Sequence, residues 1–459
     1  MADTLAVPFW LAVPAAFLAA WAAYDKLVMP GLRWLASRPA NQVMDELSSR
    51  LRIGIRPFQR TRRQALIHRL TTDPKVLDAA ENYSKAHGIA LPTVLKRVDR
   101  YAREIVPAFN AYFYLRIGYW LARKLAQSLY RVRLGYIDNE GIASINPDAT
   151  VVFVMNHRSN MDYVLAAYLA AEQTTLSYAV GEWARLWPLS ALIRAMGAYF
   201  VRRNSADELY RRVLERYIAM ATEAGVPQAV FPEGGLSRDG RMREPRLGVL
   251  DYMMRGFRID GDRDLVFVPL GINYDRVLED RTLIASERSG RMRTLLGTLR
   301  FIAHNVALLM KSEWHRFGYA CVNFGSPVSM REYSRLHQVD FQKLAGEERK
   351  QAMSQLGREL MQAVGRVVPV VPVALMAHIF LEQRSLTELD LKAAILKLLP
   401  RLEQAHVYVP RRDLDYALTV GLRMLLKRRL VLEREGSFEA RTEELPLLRY
   451  YANSIAHLL

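Results

Sequence analysis

Asn156-His157-Arg158-Ser159-Asn160-Met161-Asp162 places a histidine, whose ring titrates near neutral pH, five residues before a carboxylate. These residue types suit general-base catalysis, in which a carboxylate fixes one ring nitrogen and leaves the other to take a proton. The spacing imposes a condition. Five residues is about 500° around an ideal helix, so on one continuous helix the two side chains would lie on different faces. They can meet only across a turn. Thr150 to Met155, continuous, apolar and β-branched through Val151, Val152 and Val154, reads as a strand buried on both faces. Tyr163 to Ala171 reads as a helix. Ser159 followed by Asp162 is an N-terminal capping pattern that puts the carboxylate in the first turn, where the helix dipole favours it. The histidine then stands in the loop, and the aspartate can reach back to it. The same spacing also serves as an ordinary helix cap. Two potential ligands without a third nearby do not make a zinc site.

The elements that must position this pair belong to a chain of 459 residues, long enough for more than one domain. With 64 basic and 47 acidic residues the formal charge is +17, which points to anionic partners: phosphates, acidic lipid, an acidic carrier protein or nucleic acid. The single cysteine, Cys321, lies in the strand-like run Tyr319 to Phe324 and reads as core packing. Leu5 to Tyr24 holds no charged side chain and would be about 30 Å long as a helix, so residues 1–30 are expected to anchor the chain in a membrane. Pro8 and Pro14 favour a re-entrant or interfacial form as an alternative to a span. Only Asp3 precedes the run, unlike the positive start of a cleavable signal peptide, while Lys26, Arg33, Arg38, Arg50, Arg52 and Arg56 follow it. The positive-inside rule then puts the bulk of the chain in the cytoplasm.

Residues 31–140 carry helical periodicity. Within them Phe109, Tyr112, Phe113, Tyr114, Tyr119 and Trp120 cluster beside Arg116, Arg123 and Lys124, which suits either a membrane interface or a core helix. Residues 141–335 alternate strand and helix, with strands expected at Thr150 to Met155, Leu176 to Val180, Ala198 to Val201, Gln228 to Phe231 and Leu265 to Ile272. The expected fold is therefore α/β, a mainly parallel sheet covered by helices, with sites at the carboxyl ends of strands. Residues 336–459 read as helical again. Val367 to Leu381 is apolar but short and holds Pro369 and Pro372, so it is expected to be buried and not transmembrane. Lys427-Arg428-Arg429 reads as a solvated helix end that could touch anionic lipid.

Three further strand ends carry chemistry. Arg202 and Arg203 follow an apolar strand and suit phosphate binding. Phe231-Pro232-Glu233-Gly234-Gly235-Leu236-Ser237-Arg238 ends a strand in a glycine turn whose backbone N–H groups could approach an oxyanion. Val268-Pro269-Leu270-Gly271-Ile272-Asn273-Tyr274 is a strand whose proline suggests an edge or a ligand-facing break.

In this order the four motifs resemble the acyltransferase blocks of the glycerolipid acyltransferase superfamily, in forms closest to the membrane-bound bacterial glycerol-3-phosphate acyltransferases and their dihydroxyacetone-phosphate relatives. Tyr101-Ala102-Arg103-Glu104-Ile105 and Leu448-Arg449-Tyr450-Tyr451-Ala452-Asn453 extend the similarity over about 95–459. The resemblance implies the α/β fold of that superfamily and acyl transfer from acyl-CoA or acyl-carrier protein to the sn-1 hydroxyl of glycerol 3-phosphate. The product would be lysophosphatidate, made at the cytoplasmic face of the bacterial inner membrane without metal or cofactor. It implies His157 as base and Asp162 as its partner, Arg202, Arg203 and Arg238 on the phosphate, Glu233 and Gly234 at the polyol, and Ser237 and Pro269 among the substrate-binding residues. Dihydroxyacetone phosphate and lysophosphatidate are alternative acceptors, and a basic, membrane-tethered binding protein without catalysis is the alternative from another class. The basic residues are dispersed and no nucleic-acid module is visible. Leu236 departs from the family, which commonly has arginine there.

Overall fold

The computed structural model describes residues 55–170, 174–181, 189–202, 205–289, 317–410 and 413–459. The apolar run Leu5 to Tyr24 lies outside them. Among the described residues no helix is long and apolar enough to cross a membrane.

An eight-stranded sheet organises the chain. Its strands are β1 (Arg131–Ile137), β2 (Thr150–Met155), β3 (Ser177–Val180), β4 (Tyr199–Phe200), β5 (Gln228–Val230), β6 (Leu265–Tyr274), β7 (Tyr319–Phe324) and β8 (Val328–Ser329). They lie in the order β1-β7-β6-β2-β5-β3-β4, with β8 also paired to β6. From β6 across to β4 every pair is parallel, whereas β7 and β8 run antiparallel to β6. The sheet is therefore mostly parallel, with a reversed edge.

β2 is central, and its unbroken apolar run follows from burial on both faces. Val151, Phe153 and Met155 join one core cluster and Val152 and Val154 the other. Each such side chain contributes about 1.5–3 kcal/mol when fully buried. The chain leaves β2 toward β3 on one side and leaves β6 toward β7 on the other. The crevice between the carboxyl ends of β2 and β6 is thus a switch point of the kind where α/β folds bind ligands.

Helices cover both faces. α1 (Leu91–Ile105) buries Val94, Val98, Tyr101, Ala102 and Ile105 along one stripe. α2 (Tyr119–Leu129) turns Ala122, Ala126 and Leu129 inward but leaves Trp120, Leu121 and Leu125 57%, 39% and 41% exposed. The aromatic segment has a buried side and an exposed one: Tyr114 is buried, with its hydroxyl accepting from the Leu176 N–H at 3.1 Å, while Trp120 faces outward. α3 (Met161–Ala170) follows β2, and α4 (Glu208–Glu223), capped by Asp207, packs with α1 in the second cluster. α5 (Gly346–Arg366) and α6 (Pro372–Glu382) follow the sheet. The apolar run Val367 to Leu381 is buried nearly throughout, and from Pro372 on it forms α6. Its first turn is held by Asp275 just past β6, whose carboxylate accepts from the N–H of Val373 at 3.1 Å and of Tyr319 at 2.8 Å. α7 (Leu414–Lys427) and α8 (Leu445–Ala452) pack on α6.

Several elements differ from the sequence expectation. β1 falls inside residues 31–140, read as helical; as a largely exposed strand beside β7 it lacks the continuous apolar signal of β2. The C-terminal region contains a three-stranded antiparallel sheet, β9 (Ser385–Thr387), β10 (Val431–Arg434) and β11 (Ser437–Ala440), too short to show periodicity. Pro269 is neither on an edge nor at a break. It sits inside β6 between Phe267, paired with β8, and Leu270, paired with β7, where the absent N–H interrupts neither ladder.

Gly271, two residues on, is crossed by the backbone at Val367, whose carbonyl a Cβ would overlap. Gly271→Ala is therefore expected to lower stability by about 1–3 kcal/mol, read as a reduced urea midpoint; an unchanged midpoint would show that the crossing relaxes freely.

Candidate active site

The heptad begins where β2 stops. Asn156 extends the β2–β6 pairing with its side chain, Nδ2 donating to the Ile272 carbonyl and Oδ1 accepting from the Ile272 N–H, both at 2.8 Å. The backbone then turns into α3, which begins at Met161 and so carries Asp162 in its first turn. Asp162 Oδ2 reaches back to His157 Nδ1 at 2.9 Å and also accepts from the N–H of Arg158 at 2.7 Å and of Ser159 at 3.0 Å. Oδ1 accepts from the Tyr274 hydroxyl at 2.5 Å. Ser159 Oγ accepts from the Met161 N–H at 3.1 Å and donates to Glu279 at 2.8 Å. Glu279 also takes the N–H and side-chain amide of Asn160, at 3.2 and 3.0 Å. Burial raises the Glu279 carboxyl, opposed by these donors.

His157 is 1% exposed and Asp162 0%. An aspartate oxygen can only accept, so Nδ1 carries the hydrogen and Nε2 the lone pair. Nε2 is buried with no hydrogen-bond partner among the described residues. The ring stacks on Phe231 at 4.2 Å between centroids and meets the edge of Tyr163 at 5.4 Å. An unsatisfied buried nitrogen costs about 1–3 kcal/mol, and its chemistry is that of a base awaiting a proton.

The glycine turn after β5 frames the histidine. Glu233 accepts from the His157 N–H at 2.8 Å and from the Arg243 N–H at 3.2 Å, while the Ser237 N–H donates to the His157 carbonyl at 3.0 Å. Both backbone polar groups of His157 are therefore held by this one loop. Gly234 has φ +68, and a Cβ there would overlap the Arg246 side chain. Its N–H is spent on the Phe231 carbonyl, so this one is not free for an oxyanion. Ser237 is buried, with Oγ accepting from the Gly240 N–H at 3.0 Å and donating to the Arg241 carbonyl at 2.7 Å; it fastens the loop and does not face outward.

The remaining expected residues are distributed differently. Arg238 is exposed on the same loop. Arg202 is not brought to His157. It lies two residues past the end of β4, three strands from β2 and hence about 14 Å across the sheet, and its guanidinium is paired with Glu104 at 2.9 and 2.6 Å between the rings of Tyr101 and Tyr210. Arg203 lies outside the described residues. Leu236 is half-buried against the core. Pro269 is in register with Val154, inside the sheet and away from the turn.

Sequence reasoning assigned no role to Tyr274, Glu279 or Arg158. The buried Arg158 guanidinium donates to the Gly240 carbonyl and, at 3.1 Å, to the Ser454 carbonyl. Asn453 donates to the Asp239 carbonyl at 2.8 Å, so the end of the chain buttresses the loop that frames His157. Arg158 lies in the opening heptad and Tyr274 in the proline-containing strand, but nothing local marks the role of either, and Glu279 lies outside every motif.

Residues 137–273 match the family model described as Acyltransferase, and residues 306–459 match that of the glycerol-3-phosphate acyltransferase C-terminal region. A glycerol-3-phosphate acyltransferase of Pseudomonas aeruginosa is 30% identical over 403 residues, covering 82% of this chain and 45% of that protein. One of Pseudomonas entomophila is 27% identical over 443 residues, covering 92% and 52%. The chain spans about half the length of the curated relatives it matches. The crystal structure of the 1-acyl-sn-glycerophosphate acyltransferase of Thermotoga maritima is 17% identical, covering 65% of this chain and 97% of that one at a TM-score of 0.33.

Burial lifts the Glu233 carboxyl from its ordinary 4.5 to about 7, against the opposing backbone donors and Arg158. The folded form then retains a proton that the unfolded chain has released, so this group's stabilisation is full below about pH 4.5 and lost as pH rises through about 7. Relative to Glu233→Gln, the wild type should lose urea resistance between about pH 5 and about pH 8; parallel midpoints for the two proteins would contradict it.

Proposed function

We propose that this chain, a member of the glycerolipid acyltransferases by its two family matches, transfers a fatty acyl group from an acyl-CoA or acyl-carrier-protein thioester to the sn-1 hydroxyl of glycerol 3-phosphate. The observation that carries the reading is the unpartnered Nε2 of His157, opposite an Nδ1 held by Asp162. As the acceptor oxygen bonds to the thioester carbonyl carbon, its proton passes to Nε2. Asp162 stabilises the imidazolium without itself taking the proton. The C–S bond breaks as the tetrahedral adduct collapses, and the imidazolium returns the proton to the leaving thiolate. The products are lysophosphatidate and free thiol.

The acceptor's phosphate is assigned to the loop that frames His157, where Arg238 is exposed and Arg246 lies over Gly234. These two compensate for the apolar Leu236. Arg202 would have to exchange Glu104 for the phosphate, which makes it a weaker candidate. Holding the phosphate orients the hydroxyl and turns a bimolecular encounter into a directed one. The exposed Trp120, Leu121 and Leu125, with Arg116, Arg123 and Lys124 on the same segment, support placement of the enzyme on an anionic membrane surface, for which the cytoplasmic face of a bacterial inner membrane is our reading.

His157→Ala should reduce transfer by about 10²- to 10⁴-fold, with a cooperative melting transition retained at a lower temperature, because the ring is buried and donates to Asp162; near-normal turnover would remove His157 from the chemistry. Offered glycerol 3-phosphate, dihydroxyacetone phosphate and lysophosphatidate with one acyl-CoA, the wild type should acylate the first fastest. Replacing Trp120 and Leu125 together by aspartate should lower the fraction sedimenting with phosphatidylglycerol vesicles, and an unaltered fraction would place the lipid contact elsewhere.

A further inference from the structure

We propose that Tyr274 is a positioning residue of this site, its hydroxyl holding the second oxygen of Asp162 so that the carboxylate stays in place and ionised behind His157. The inference rests on the reading of His157 as the base.

Asp162 is loaded unequally. Oδ2 takes three N–H groups, from His157 Nδ1, Arg158 and Ser159, all within the heptad, whereas Oδ1 takes the Tyr274 hydroxyl at 2.5 Å. Rotation of an aspartate carboxylate about its terminal bond is soft. Without a donor on Oδ1, a buried oxygen would be left unpaired and the group could turn to satisfy it, at the expense of the imidazole. A donor to the charged carboxylate also favours its ionised form, so the proton between the two groups stays on Nδ1 and the lone pair on Nε2.

Tyr274 is itself held rigidly. It is the last residue of β6, 0% exposed, with its ring 5.2 Å from that of Tyr130. The Tyr130 hydroxyl donates to the Arg276 carbonyl at 2.9 Å, anchoring the backbone just beyond. Burial and then the neighbouring Asp162 push the Tyr274 phenol well above its ordinary value, so it remains a donor over the whole working range. The other titratable groups around the pair are Glu279 and Tyr130 beside Tyr274, and Glu233, Arg158 and Tyr163 beside His157. All of these are retained in the Tyr274 substitutions below.

Tyr274→Phe removes one hydroxyl and keeps the ring. The expected result is a fall in kcat of about tenfold or more, a KM for glycerol 3-phosphate within about twofold of wild type, and an acid limb of the kcat/KM profile displaced to higher pH, because a carboxylate relieved of a donor holds the imidazolium more strongly. Tyr274→3-fluorotyrosine, which preserves the fold and donates more strongly, should displace the limb the other way. Tyr130→Phe, which deletes a neighbouring buried hydroxyl bonded to a carbonyl, controls for a merely structural loss and should leave the limb where it is. An undisplaced limb in both Tyr274 variants, a loss wholly in KM, or the same displacement in Tyr130→Phe would overturn the proposal. NMR titration of the His157 imidazole reads the same displacement without turnover. A wild type that transfers no acyl group would refute the proposed reaction, while an imidazole midpoint unchanged in Tyr274→Phe would refute the role of Tyr274.

Discussion

A carboxylate removed from water survives in a protein interior only if donors saturate it, and the site is organised around that requirement at Asp162. Four donors converge on it: the His157 ring, two N–H groups of the turn and the Tyr274 hydroxyl. To meet it, β2 must end at Met155, α3 must start by Asp162, and β6 must lie beside β2 in a register that brings its last residue level with the turn. The parallel pairing of Val154 with Pro269 and Met155 with Leu270 provides that register. A shift by one residue would exchange the faces of β6 and leave Asp162 short of a donor.

Helix capping and orientation of the histidine use the same atoms. The carboxylate that satisfies the Ser159 N–H at the start of α3 also fixes the histidine tautomer, and the Ser159 hydroxyl passes a hydrogen bond to Glu279. Glu233 and Ser237 then clasp the two backbone polar groups of His157 from the opposite side. Motifs that suggest substrate binding when read along the chain are here partly framework. Arg158 and Arg202 are each paired within the fold.

The conflict between charge and burial is resolved locally in each case. Arg158 is buried against carbonyl oxygens supplied by the loop and by Ser454, which takes a strand-end motif and the C-terminal segment into one network. Arg428, Asp280 and Tyr451 form a second buried group, with Arg428 and Tyr451 each 2.5 Å from the Asp280 carboxylate. Lys427-Arg428-Arg429, read as a solvated helix end, thus includes one arginine that is structural.

Local patterns in the chain were enough to locate β2 with its ends, the cap at Ser159, the capacity of His157 and Asp162 to meet across a turn, and the alternation that makes a mostly parallel sheet. Each depends on residues a few positions apart, where periodicity and capping chemistry operate. β1 and the small C-terminal sheet are not legible there, because an exposed strand such as β1 and strands of three or four residues have no periodic signal. Tyr274 lies 112 residues from the carboxylate it holds, and Arg158 contacts Ser454 across 296 residues. Pairings at such separation are set by the order and register of strands, not by local propensity. Residue type and neighbourhood therefore determined that a histidine and a carboxylate could cooperate here. Only the tertiary structure decided which distant groups hold them in place, because a buried charge takes its donors from whatever the fold brings within hydrogen-bond reach.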